Sequence, residues 1–392
     1  REGLSINILF LILIIGILFI LSLLIDQKIL VYIFSAIGLI VLIFFRFNKK
    51  DIIAIFSVWL ISVFFITNNI VSQFAGESTY QFLNISSSPR QLALGGKVIT
   101  NFDYDVSQAL YNPSVINSEM DNNIALNFFN YFADIKYGSA AYAYTLDNRG
   151  NTLHFGILYI DYGTFEGYNE LGEPTNDFSG NEAVLSVGYG NKFKDLPIYY
   201  GVNLKLITSK FEQYNSIGIA SDIGFYYKDE DLKLDVALVI RNIGSQIKAY
   251  DNINEKLPFE VDLGISQLVE NAPIKWHMTI ENIQKWPIGL SNPSRLIIDL
   301  DGNITKEKVT FMNDLLRHVI IGAELFPESM FNLRLGYSCR RGEELRIIDE
   351  KNFSGLSFGF GIKFNKLRFN YSHARYSSAS NISFLGLQLD LN

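Results

Sequence analysis

From Asn123 to the C-terminus, apolar residues alternate with small or polar ones, and this period constrains the fold more than any other feature of the chain. Successive side chains of a strand point to opposite faces, so a period of two means extended chain between two different surroundings. In residues 354–364, Leu356, Phe358, Phe360, Ile362 and Phe364 share one face, while Gly355, Ser357, Gly359, Gly361 and Lys363 share the other. The same split places Val202, Leu204 and Leu206 opposite Gly201, Asn203 and Lys205, and Leu333, Leu335 and Tyr337 opposite Asn332, Arg334 and Gly336. One face is apolar enough for lipid; the other carries Lys, Arg, Asn and Gly.

Read this way, the chain divides into strands at 123–132, 135–146, 151–163, 181–191, 197–210, 216–228, 231–243, 258–269, 274–283, 318–326, 330–339, 354–364, 367–376 and 381–391. Each is close to the 9–11 residues that a tilted membrane strand needs, and an even number lets an antiparallel sheet close. The expected fold is all-β: an antiparallel transmembrane barrel of about fourteen strands, spanning 123–392, with an N-terminal segment in its lumen. The connections test this independently, because bacterial barrels have short periplasmic turns and longer outer loops. Every even-numbered connection is brief, whereas the long ones, 164–180, 244–257, 288–317 and 340–353, are all odd-numbered. Those four loops are the predicted partner-binding regions, with no single residue standing out. Tyr131, Tyr137, Tyr159, Tyr162, Tyr226, Tyr227, Tyr337 and Tyr376 fall near strand ends and suggest interfacial girdles. In residues 305–317, Val309, Met312, Leu315 and Leu316 have helical spacing, which predicts a short helix packed on the barrel rim.

The N-terminal region is of another kind. Residues 4–25 are long and apolar enough to span a bilayer, and 29–45 and 52–66 are shorter apolar runs. The third follows Lys49-Lys50 and ends in polar residues, as a secretory signal does, with cleavage expected near Ser72 or Gln73. The reading is therefore a hydrophobic extension at 1–47 outside the mature protein, a signal peptide at 48–73 and a lumen plug at 74–122. A helical anchor in the inner membrane is the rival reading of residues 1–47. Within the plug, Gly95-Gly96 reads as a stop and Asn112-Pro113 as a turn.

Chemistry is sparse. A net charge of −7 lacks the basic face that nucleic acid requires. One cysteine, Cys339, leaves no internal disulfide framework. His154, His277, His318 and His373 lie on separate strands without metal-ligand spacing. The acidic stretch with Asp161, Glu166, Glu170, Glu173 and Asp177 lacks the order of a calcium loop. The glycines in 188–192 and 359–363 alternate within strands and are not followed by a helix, so they are small lumen-facing residues and not a phosphate loop. Ser372 and His373 are adjacent on one strand, face opposite ways, and cannot form a hydrolytic pair. The sequence points to no enzyme, no cofactor and no metal.

Several ordered segments carry a resemblance. T-Y-Q-F-L-N and R-Q-L-A-L-G-G (79–84, 90–96), N-P-S-V-I (112–116), Y-F-A-D-I-K-Y-G (131–138), R-N-I-G-S-Q-I (241–247), L-P-F-E-V-D-L-G-I-S (257–266), L-G-Y-S-C-R-R (335–341) and S-G-L-S-F-G-F-G-I-K (354–363) stand in the order found in the PorQ family. The chain resembles that family of the Bacteroidetes type IX secretion system over about residues 79–392. The resemblance implies a FadL-like outer-membrane barrel, plugged from its N-terminus. It also implies a PorZ-like surface partner in an attachment complex, with outer-membrane lipid and lipopolysaccharide around it. In that complex other subunits remove the cargo signal and link cargo to lipopolysaccharide. The chain departs from common barrels in ending L-D-L-N, without a terminal Phe. The alternative function is FadL-type transport of hydrophobic compounds, which needs an apolar lumen pocket and a lateral opening.

Overall fold

The computed structural model describes residues 78–131, 135–147, 149–194, 196–286, 288–289, 297–298, 304–305, 309–345, 353–375 and 381–392. The extension and signal read in residues 1–73 lie outside these, as do Tyr376 and parts of the long loops. Fourteen antiparallel strands close into a barrel. The first seven are β1 (Asn123–Asn130), β2 (Lys136–Thr145), β3 (Thr152–Phe165), β4 (Phe178–Lys192), β5 (Ile198–Phe211), β6 (Tyr214–Asp229) and β7 (Leu234–Lys248). The others are β8 (Glu260–Leu268), β9 (Ile274–Ile280), β10 (Val319–Leu325), β11 (Phe331–Ser338), β12 (Leu356–Phe364), β13 (Leu367–Arg375) and β14 (Asn381–Asp390). Each pairs with its neighbours in sequence, and β1 pairs with β14 from Asn123↔Asp390 to Asn130↔Ser383. Closure gives every strand two neighbours and removes the free edges that would otherwise recruit other chains.

The wall is inside out. Outward Leu126, Leu204 and Leu335 are 55%, 64% and 50% exposed, whereas inward Asn203, Asp262, His277 and Glu324 are fully buried. An apolar girdle running round the molecule far exceeds the patches that water tolerates on a soluble protein, so hydrocarbon is its natural surroundings. This is the architecture of an outer-membrane barrel.

All fourteen strands read from the alternation are present, and their ends differ in instructive ways. Strand β7 continues to Lys248, beyond the predicted residue 243. Asn242 sits at φ +56°, and the β6–β7 register shifts between Ser221 and Ile223, so the ladder resumes along β6 only. Strand β9 stops at Ile280, before the predicted 283, because Asn282 also adopts a left-handed φ of +56°. The wall is consequently uneven. Strands β3 to β7 have 14, 15, 14, 16 and 15 residues, while β8 to β11 have 9, 7, 7 and 8.

Two expectations need correction. Tyr137 and Tyr226 are fully buried in the lumen, while Tyr131 and Tyr162 pack against the lumen core, so these four form no girdle. Adjacent residues cannot both face lipid, so of Tyr226 and Tyr227 only one could serve. Tyr159 and Tyr337 do face outward. The rim helix exists as α2 (Phe311–Arg317), preceded in the chain by the plug helix α1 (Pro89–Ala93). Its orientation is reversed, however: Met312 and Leu316 are exposed, whereas Asp314 and Arg317 are buried.

Candidate functional site: a charged plug and the long-loop mouth

Residues 78–122 thread the lumen from one mouth to the other. At the long-loop mouth Ser78 bridges to Lys256, and Tyr80 bonds Ser216 near the start of β6. At the short-turn mouth the Asp121 carboxylate accepts from Thr145 N at 2.6 Å, and Asn122 N donates to Ala143 O at 2.9 Å. With the long loops outside, the plug enters at the outer face and runs down to β1.

Its path is set locally by capping residues. Ser88 opens α1, with Pro89 at its first position, by accepting from Gln91 N at 3.3 Å. Gly95 and Gly96, at φ +107° and +114°, close it: their amides donate back to Leu92 O and Gln91 O. Asp105, Asn112 and Asn117 then each accept from the amide two residues on and start a 3-10 turn. The turn read from Asn112-Pro113 is thus present. A stretch of short turns leaves many backbone groups without ladder partners, and the wall supplies some of these. Asn203 donates to Ala109 O at 2.8 Å, Ser139 to Ser87 O at 2.8 Å and Ser357 to Ala93 O at 3.2 Å.

Lumen-facing glycines give the plug its room. A Cβ on Gly336 would lie 2.1 Å from Gly95 N, and one on Gly201 would lie 2.0 Å from Pro113 O. Both clashes are with backbone, which cannot swing aside. The Gly359 residue of the dismissed phosphate-loop pattern similarly faces Ala93.

Charge fastens what shape admits. Glu324 of β10 accepts from Arg90 of the plug at 2.8 Å and from Arg334 of β11 at 2.7 Å, and Arg90 also meets Asp103 at 2.5 Å. In a second cluster Lys97 of the plug pairs with Glu260 and, at 2.7 Å, with Glu281. Arg241 meets Glu260 at 2.8 Å, donates to Leu83 O at 2.7 Å and lies 3.5 Å from the centre of the Tyr111 ring. Tyr111 in turn donates to Glu260 and Asp262 at 3.1 and 3.0 Å. Desolvated ion pairs stabilise little by net count, but separating one leaves a bare buried charge. The plug is therefore costly to withdraw.

Two histidines bind the plug: His154 Nε2 lies 3.0 Å from Val106 O, and His277 Nδ1 lies 3.0 Å from Thr100 Oγ1. His318 Nδ1 meets Glu281 O at 2.6 Å, and His373 Nδ1 meets Ser383 Oγ at 3.1 Å. The structure brings no two of them to a shared site. Ser372 is buried, and His373 bonds Ser383.

The loops proposed as partner regions differ in character. Residues 166–177 form a turn-rich projection pinned by the Tyr168↔Pro174 bridge, with Leu171 84% exposed. Tyr168 donates to Glu166 at 2.7 Å, and this bond raises the phenol above its ordinary range. Residues 244–248 belong to β7, and Lys256, near the end of that loop, bridges to Ser78. Helix α3 (Cys339–Glu344) opens the 340–353 loop, and burial pushes the Cys339 thiol up. A cavity of about 280 Å³ lies between plug and loops, lined by residues including Asn84, Lys97, Glu281, Arg340, Arg341 and Glu344. Such a charged lining suits polar groups and disfavours an acyl chain.

The sequence matches no protein-family model and no curated protein. Among solved structures, it is similar to a deletion mutant of the TodX monoaromatic hydrocarbon channel, with 12% identity, a TM-score of 0.45, and coverage of 77% of this chain and 96% of the other. A Pseudomonas aeruginosa FadL homologue has 9% identity, a TM-score of 0.45, and coverage of 78% and 99%. The KdgM porin, at 9% identity and a TM-score of 0.26, covers 69% of this chain and is itself covered to 99%. The chain is similar to these FadL-like and porin barrels and is itself a closed, plugged barrel of fourteen antiparallel strands.

Proposed function

We propose that this protein is an outer-membrane anchor, a sealed barrel that holds a surface protein by its long loops. One observation carries this reading: the lumen is filled by residues 78–122, whose buried Arg90 and half-buried Lys97 are tied to Glu324, Glu260 and Glu281 of the wall and mouth. A lumen occupied in this way leaves the outer loops as the working surface. The resemblance to the PorQ family supports placing the anchor in the type IX secretion system. There the partner would be a PorZ-like protein of the attachment complex, and cargo processing would fall to other subunits. The chain has no catalytic role in this proposal.

A second reading, FadL-type passage of hydrophobic compounds, has its own observation. Strand β8 pairs with β7 only as far as Arg241↔Glu260, so residues 242–248 are laddered to β6 alone. Exposed Ile243 and Ile247 flank that edge. Opening it inward would require displacing the Lys256–Ser78 contact.

Purification of the tagged protein from outer membranes in mild detergent, with mass spectrometry of what accompanies it, separates the two. A large surface protein at constant ratio is the result expected of an anchor. A barrel that carries bound lipid and no protein overturns the anchor in favour of transport.

A further inference from the structure

Helix α2 has its polarity reversed relative to the helices of a soluble protein. Asp314 and Arg317 face inward: Asp314 Oδ1 accepts from Ile288 N at 3.0 Å and Gly289 N at 2.6 Å, and Arg317 Nη1 lies 3.8 Å from Glu344. Phe311, Met312 and Leu316 are 73%, 60% and 50% exposed. At about 100° per residue, Met312 and Leu316 lie within about 40° of each other on one face, while exposed Phe311, about 100° from Met312, opens the helix on the side of Trp286. Trp286 continues the surface, its ring stacked 6.0 Å from that of Phe311. Polar inward and apolar outward is the rule the strands follow, and here a loop helix follows it too.

The wall beneath explains why. The helix leads directly into β10, and β9 and β10 have only 7 residues each. At roughly 3.3 Å per residue and a tilt of about 40°, such a strand rises about 18 Å along the barrel axis, short of an apolar band about 25 Å tall. On this side the strands alone cannot cover the hydrocarbon. Outward Ile321 of β10, 50% exposed, and Leu335 and Tyr337 of β11 carry the belt to the strand ends. The residues of α2 begin where these stop.

We infer that α2 and Trp286 complete the lipid-facing belt over β9 to β11, with Phe311, Met312 and Leu316 seated in the outer leaflet as an interfacial helix. The occupant is lipid acyl chain, because the surface is continuous with the strand belt and compensates for its missing height. This surface is then unavailable to the surface partner, which is left with the loops over the tall side of the wall.

Site-directed spin labelling tests this on the full chain in phosphatidylcholine vesicles. Met312→Cys and Leu316→Cys are each labelled in a Cys339→Ser background, with Leu335→Cys as the lipid reference and Leu171→Cys as the water reference. Heat-modifiable gel mobility confirms that each variant is a folded barrel. The oxygen-to-nickel-chelate collision ratio at 312 and 316 is expected to match that of 335 and exceed that of 171 several-fold. A ratio equal to that of 171 would overturn the inference and leave α2 as a water-exposed surface open to a protein partner.

Discussion

Glu324 shows how much can rest on one carboxylate inside a barrel. It is fully buried and holds Arg90 of the plug and Arg334 of the wall at 2.8 and 2.7 Å, joining residues 234 positions apart in the chain. Replacing it with Ala would leave two guanidinium groups without that shared anion, a loss of about 3–5 kcal/mol for a broken buried pair. Glu324→Ala is expected to lower the temperature at which the folded band converts to the unfolded one on gels, with Glu324→Gln intermediate. An unchanged conversion temperature for Glu324→Ala would show that the cluster does not hold the plug. Little of this was legible beforehand. The alternation put Lys and Arg on the lumen face, and a buried charge must find a partner. Yet Arg90 lies in the plug, outside the strand ladder, so nothing in its surroundings named Glu324. The girdle tyrosines failed for a related reason: proximity to a strand end says nothing of parity, and Tyr137 and Tyr226 have inward parity.

At the scale of elements, the strands were readable because lipid outside and polar contacts inside force every second residue to differ. Their ends were less so. Asn242 and Asn282 both take a left-handed φ, yet one bulges a strand that continues and the other ends a strand. The difference lies in β6, which extends far enough to pair with β7 beyond the bulge. Plug and wall fit as lock and seat, which predicts an outcome distinct from simple destabilisation. In Gly336→Val the new side chain meets Gly95 and Leu94 backbone, while the strand itself tolerates Val well. The barrel is expected to remain heat-modifiable, while limited proteolysis cuts within residues 84–100, a region largely buried in the parent protein. Parental resistance to protease in the folded variant would mean that the plug does not sit against β11. The helix in the ninth connection was legible in existence but not in orientation. Helical spacing fixes which residues share a face, and only the environment decides where that face points.

For the whole molecule, the even strand count and the segregation of long loops to one mouth were both visible in the chain, because each follows from closing an antiparallel sheet across a membrane. The uneven wall was not. It arises from strands of 14–16 residues beside strands of 7–9, and its consequences depend on which sectors become neighbours after closure. A tall side with projecting loops and a low side with a lipid-facing helix suits an anchor that presents one flank outward. That assignment depends on a lumen that stays closed. Ion conductance of the purified full chain in planar bilayers, measured beside Gly336→Val, tests the seal most directly. A sealed lumen gives no stable conductance in the parent protein and ohmic steps once the plug is displaced. A steady open channel in the parent protein would contradict it and make the lumen, not the loops, the working part of the molecule.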